Sequence, residues 1–180
     1  MNLPNKLTVL RMIMIPIFLV FMLTPLADGA GKYVAFAVFV LASFTDFLDG
    51  HIARKEGLVT NFGKFMDPIA DKMLVCSALI CLVALNRPGK WFAWIAIVII
   101  ARDFIINGIR LIASDNGKVI AASKWGKSKT VCQMIMIGIL ILDIPHVIFT
   151  YLALIFIWAS FLLTIISLVD YIVKNREVLK

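Results

Sequence analysis

Charge is scarce in this chain. Asp, Glu, Lys and Arg make up 16% of its 180 residues, while 62% are hydrophobic, and the mean hydropathy is +0.97. A soluble domain carries roughly 45–50% apolar residues, so one water-exposed globule is excluded and a polytopic membrane protein is implied. Cysteine is nearly absent: Cys76, Cys81 and Cys132 each sit in an apolar run, with neither a CxxC pair nor an even-numbered set. That excludes a disulfide framework, and the three read as small core residues. Histidine is rarer still. His51 falls on a different helix face from its neighbours Asp46 and Asp49, and His146 lies in a distant turn, so neither is assigned to a site. The chain has no low-complexity tract, internal repeat, soluble linker or second domain. Its opening, MNLPNKLTVLRMIMIPIF, lacks the polar boundary and small-residue cleavage site of a signal peptide and reads as a retained first helix.

What is present is apolar sequence cut into six lengths, near residues 7–27, 32–51, 67–86, 91–113, 123–142 and 147–171. Five of them reach the ~20 residues that a bilayer requires only by taking in charges at one end. The expected fold is therefore all-α: one membrane-embedded domain over residues 1–180 with six transmembrane helices. The joins ADGAGK, NRPGK and DIPH have turn chemistry. If the helices alternate from a cytosolic N-terminus, 15 of the 18 basic residues fall on the cytosolic side, with Lys32, Arg87 and Lys90 opposite. The positive-inside rule then predicts a multi-pass protein of the cell membrane, both termini cytosolic. Lys and Arg exceed Asp and Glu by 18 to 11. In so apolar a chain this excess points to anionic lipid or phosphorylated substrates rather than nucleic acid.

The same alternation gathers the charged helix ends into one cavity open to the cytosol. Asp46 and Asp49 are three residues apart, and Asp67 and Asp71 four apart. Each pair shares a helix face, and the short glycine-containing connection keeps the two helices adjacent and antiparallel. Four carboxylates in a low-dielectric pocket require positive charge among them. Hard divalent cations with oxygen ligands suit them: Mg2+ or Mn2+, two ions bridging a pyrophosphate. Gly50, and Ala53 one turn on, leave room for a bulky ligand against the helix.

Basic residues face this group. Arg102 and Arg110 interrupt an apolar helix, and Lys124 and Lys127 begin the next. Arginine forks and lysine point charges bind phosphate oxygens, so the acceptor is expected to be phosphorylated. Lys118 and Lys129 read singly as positive-inside surface charge, and Asp103 is left without a role. Asn5, Thr8 and Arg11 at the first helix either contact CDP or phosphate, or cap and anchor that helix. Trp91, Trp94 and Trp158 read as interfacial or packing residues, and Trp125 as a cavity rim.

The pattern D-x2-D-G-x2-A-R-x8-G-x3-D-x3-D, carried by Asp46, Asp49, Gly50, Ala53, Arg54, Gly63, Asp67 and Asp71, resembles the signature of the CDP-alcohol phosphotransferase family at every fixed position. That resemblance implies a six-helix fold. Asp46, Asp49, Asp67 and Asp71 would ligate metal, with Asp71 also the general base. Asp46, Asp49, Gly50, Ala53, Arg54 and Gly63 would lie against the CDP group. Residues 101–130 and the opening Asn2–Arg11 are similar to family members whose acceptor is glycerol 3-phosphate. CDP-diacylglycerol would donate its phosphatidyl group, giving phosphatidylglycerophosphate and CMP, with Arg102, Arg110, Lys124, Lys127 and Arg11 holding the acceptor phosphate. The family likeness also implies a homodimer among membrane lipids. The same chemistry on serine, inositol phosphate or a phosphatidyl lipid is the nearest rival, and a carboxylate-lined ion or phosphate transporter the remote one.

Overall fold

The computed structural model describes residues 3–25, 29–56, 61–115, 120 and 123–176. Residues 3–5, 46–56, 61–68, 71 and 115 are described by backbone alone. Among the described residues six helices follow one another: α1 (Leu3–Leu23), α2 (Gly31–Glu56), α3 (Asn61–Ala84), α4 (Phe92–Asp115), α5 (Lys124–Leu142) and α6 (Val147–Lys174). No strand occurs among the described residues. By length and composition, α1, α5 and α6 are able to cross a membrane, and Gly31–Thr45 and Lys72–Ala84 form shorter apolar helices. The chain is a helical membrane protein.

The boundaries that move outward most from the apolar lengths are the charged ends of α2 and α3. The helix of α2 continues through its charges to Glu56, and α3 begins at Asn61 rather than near residue 67. Hydropathy falls where charges start, but the backbone goes on satisfying its own N–H and C=O groups by staying helical. At α1 the boundary moves back to Leu23, because Pro25 disfavours helical geometry in Thr24.

The chain divides into two compact units: Met1–Arg87 with Ile141–Asp143, and Pro88–Leu140 with Ile144–Lys180. In the first unit, α1 packs on α2 and α3. One stripe of α1 is buried: Thr8, Arg11, Ile15, Phe18 and Met22. It meets a stripe on α2 whose buried members include Ala35, Phe39 and Ala42. The small residues bring the backbones close, which is how helices gain van der Waals contact where lipid supplies no hydrophobic drive. Phe18 and Phe39 fill the remaining width, their ring centroids 6.2 Å apart. At one end of the unit Arg87 bonds the Asp143 carboxylate at 3.1 Å and the Ile141 carbonyl at 3.2 Å. Asn86 and Asp143 take the left-handed backbone there, with φ of 55° and 43°, a conformation that Asn and Asp tolerate.

In the second unit α4 packs against α6. The buried stripe of α6 runs Ala153, Ile157, Ser160, Thr164, Ser167 and Tyr171. It faces a core that includes Phe92, Ile99, Ile106 and Ile109 of α4. Trp91 stacks on Trp158 at 6.4 Å with 11° between planes. His146 is the N-cap of α6, its Nδ1 accepting from the N–H of Ile148 at 3.3 Å, which gives that histidine a structural role.

Candidate active site

The aspartate pattern lies on two packed helices of the first unit. Asp46, Asp49, Gly50, Ala53 and Arg54 stand in the last three turns of α2, and Gly63, Asp67 and Asp71 in the first three of α3. Glu56 and Asn61 are five Cα steps apart, so these helix ends lie within about 18 Å of one another. The register puts 46, 49 and 53 on one face of α2, and 63, 67 and 71 on one face of α3. The side chains of these residues, and Asn5 and Lys118, lie outside what the structure describes. The four aspartates are by residue type carboxylate-oxygen donors, chemistry that suits a hard divalent cation. Thr8 and Arg11 of α1 are fully buried in the same unit. Full burial is not what a surface topology anchor would show.

The second unit holds a different kind of centre. Arg102, Asp103 and Lys129 are 8%, 4% and 1% exposed, in a chain otherwise rich in lipid-type side chains. Lys129 Nζ donates to both oxygens of Asp103, at 2.7 and 2.8 Å. Arg102 Nη1 donates to Asp103 Oδ1 at 3.0 Å, and its Nε to Ser167 Oγ at 3.1 Å. Three helices thus meet at one ion cluster. Gly126 makes room for it: a Cβ there would stand 3.4 Å from Arg102 Nη2 and 3.3 Å from Ser123 Oγ. Ser123 caps α5, its Oγ accepting from the Gly126 N–H at 3.0 Å.

About two turns further along α4, Arg110 Nε donates to the Tyr171 hydroxyl at 3.2 Å, with the guanidinium 5.6 Å from the ring centre. Tyr171 in turn lines a cavity of about 360 Å3 with Ile120, Ser123, Lys124, Trp125, Asp170, Lys174 and Asn175. Lys174 pairs with Asp170 at 2.6 Å, one turn apart on α6. Lys124 therefore borders a cavity, and Lys127 is exposed. Of the basic residues singled out from sequence, Arg102 and Arg110 are embedded in side-chain networks while the two lysines are not. Sequence reasoning passed over Asp103, Lys129, Ser167 and Tyr171. Lys129 in particular was read as surface charge and is among the most buried side chains in the protein.

The helical membrane protein thus carries paired aspartates on consecutive helices of its first unit and a buried basic cluster in its second. Comparison with known proteins specifies it further. The CDP-alcohol phosphatidyltransferase family matches residues 1–166, and the chain belongs to that family. Among its relatives, a CDP-diacylglycerol–glycerol-3-phosphate 3-phosphatidyltransferase of Bacillus subtilis is 42% identical, over 99% of this chain and 97% of the relative. Proteins of the same name from Haemophilus influenzae and Rickettsia bellii are 36% and 39% identical. They cover 95% and 94% of this chain, and 91% and 93% of their own lengths. The chain is thus an enzyme of the CDP-alcohol phosphatidyltransferase kind.

Proposed function

We propose that this enzyme transfers the phosphatidyl group of CDP-diacylglycerol to sn-glycerol 3-phosphate, giving phosphatidylglycerophosphate and CMP. The observation that carries the reading is the likeness to the Bacillus subtilis relative over nearly the whole of both chains, with the aspartate pattern unbroken. In this reading Asp46, Asp49, Asp67 and Asp71 hold two divalent cations, Mg2+ or Mn2+. When bound, these neutralise the pyrophosphate and stabilise charge on the entering and leaving oxygens. Gly50 and Ala53 leave space for the CDP group on α2, which Arg54, Gly63, Asn5 and Thr8 help to hold. A glycerol hydroxyl attacks the phosphorus that bears the lipid, its proton passes to the Asp71 carboxylate, and the bond to CMP breaks. Arg102, Arg110, Lys124, Lys127 and Arg11 receive the phosphate of the acceptor, which orients the attacking hydroxyl.

The distribution of basic residues supports an active site and both termini on the cytosolic side of the cell membrane. The lipid donor then enters from the bilayer and the polar acceptor from the cytosol. A homodimer is the assembly that the family likeness suggests. The test is CMP release from CDP-diacylglycerol by purified protein with Mg2+, offering glycerol 3-phosphate, serine, inositol or inositol phosphate. Release with glycerol 3-phosphate alone is the expected outcome. Release with another acceptor alone would overturn the acceptor assignment and keep the aspartate chemistry; release with none would favour transport.

A further inference from the structure

The cavity between the start of α5 and the end of α6 has walls of both signs. Its volume, about 360 Å3, falls in the roughly 300–1,000 Å3 range of small-molecule sites. Much of its polar lining is already engaged by the protein. Ser123 Oγ accepts from the Gly126 N–H, the Tyr171 hydroxyl accepts from Arg110 Nε, and Asn175 Nδ2 donates to the Tyr171 carbonyl at 2.8 Å. Two charged groups of the wall have capacity left. Lys124 is exposed and makes no hydrogen bond or ion pair among the described residues. Asp170 gives Oδ1 to Lys174, while its Oδ2 is buried without a hydrogen-bond partner among the described residues. A carboxylate accepts at both oxygens, and a buried one short of donors is unfavourable.

These groups select the kind of ligand. A bare cation would meet Lys124 and Lys174, and a bare anion would meet Asp170, each a charge of its own sign. A molecule with a phosphate at one end and a hydroxyl further along suits both: the ammonium takes phosphate oxygens, and the carboxylate accepts from the hydroxyl. In the proposed reaction one acceptor hydroxyl attacks phosphorus and passes its proton to Asp71. Glycerol 3-phosphate has a second hydroxyl, on its middle carbon, to which no residue has yet been assigned. We infer that Asp170 is a specificity-determining residue: its carboxylate accepts a hydrogen bond from that second hydroxyl, while Lys124 meets the phosphate. This rests on the proposed reaction and adds the group that recognises the body of the acceptor. A site built to bond a hydroxyl discriminates strongly against an analogue that lacks it.

The test uses the full-length enzyme and two acceptors, glycerol 3-phosphate and 3-hydroxypropyl phosphate. The second keeps the attacking hydroxyl and the phosphate and lacks only the middle hydroxyl. A hydrogen bond to a charged group changes binding by about tenfold or more, so wild type should prefer glycerol 3-phosphate by that factor in kcat/KM. In Asp170→Ala the preference should fall below about threefold, through a loss on glycerol 3-phosphate alone, with KM for CDP-diacylglycerol within about twofold of wild type. Lys174→Gln should keep the preference, which separates recognition by Asp170 from a mere tie to Lys174. No preference in wild type, an undiminished preference in Asp170→Ala, equal losses on both acceptors, or a preference lost in Lys174→Gln overturns the inference. If Asp170→Ala does not fold, Asp170→Asn decides by the same criterion, its preference falling but not vanishing. A wild type that releases no CMP with either acceptor overturns the proposed reaction instead, and calorimetric binding then scores Asp170. Tighter binding of glycerol 3-phosphate than of 3-hydroxypropyl phosphate, lost in the Asp170 variants, upholds its role; equal binding of the two by wild type refutes it.

Discussion

Replacing Lys129 with methionine removes a buried cation and keeps most of the stem that packs around it. The structure sets how much this should cost. Breaking an isolated buried ion pair costs ~3–5 kcal/mol, because one charge is stranded. Asp103 is not stranded here, since Arg102 Nη1 still donates to Oδ1 at 3.0 Å. What disappears includes the charge-assisted donation from Lys129 to both oxygens, in the range of ~1.5–3 kcal/mol. Lys129→Met should therefore destabilise the protein by about 2 kcal/mol, below the loss for a lone buried pair. Lys127→Met on the same helix, where the side chain is exposed, should stay within ~0.5 kcal/mol of wild type. Reversible unfolding in mixed detergent micelles measures both variants. Indistinguishable curves for Lys129→Met and Lys127→Met would refute the view that the cluster holds α5 to α4. A loss above ~5 kcal/mol would refute the part given to Arg102.

Further outcomes follow from the aspartate pattern and from the geometry at the start of α5. Asp67→Asn should abolish CMP release while the far-ultraviolet circular dichroism stays helical, and EDTA should silence the wild type until Mg2+ or Mn2+ is restored; turnover in the variant would remove Asp67 as a ligand, and turnover with EDTA would remove the metal from the reaction. Ser123→Ala deletes the cap on the Gly126 N–H and should lower unfolding stability by ~1 kcal/mol, whereas an unchanged midpoint would mean that solvent replaces the cap. Gly126→Ala gains helix propensity but sets a methyl group 3.4 Å from Arg102 Nη2, so stability should shift by less than ~1 kcal/mol while KM for the acceptor rises. An unaltered acceptor KM would show that Arg102 has room to move aside.

The helices were legible because each is an apolar length ended by Gly, Pro, Asn or Asp, and hydropathy reads both features. Their charged ends were not, since α2 and α3 stay helical through residues whose composition says surface. The aspartate pattern was visible because its members are close in sequence and repeat at helical spacing. The Asp103 cluster has neither property. Its bonds span 26 residues to Lys129 and 65 from Arg102 to Ser167, separations that no local pattern reports. Judged singly, Lys129 follows Lys127 and Ser128 in a basic stretch and looks like its neighbours. One clue was available: Asp103 interrupts an apolar helix, and an ionisable group at membrane depth needs a partner.

The hydroxyls of α6 bear on how the chain is made. Thr164 donates to the Ser160 carbonyl at 2.7 Å, and Ser167 to the Thr164 carbonyl at 3.1 Å. Both bonds lie within the helix, so these groups are satisfied before any neighbour arrives. With a mean hydropathy of 2.6 over its span, α6 has what a segment needs to partition from the translocation channel into lipid alone. By contrast α4 carries Arg102, Asp103 and Arg110 in its sequence, charges that oppose lone partitioning. Synthesis delivers α4 first, so it must wait, held at the channel or by the lipid interface, until Lys129 and then Ser167 emerge. The order of the genetic message thus runs against the order of easy insertion, and the last helix completes a segment translated some sixty residues earlier.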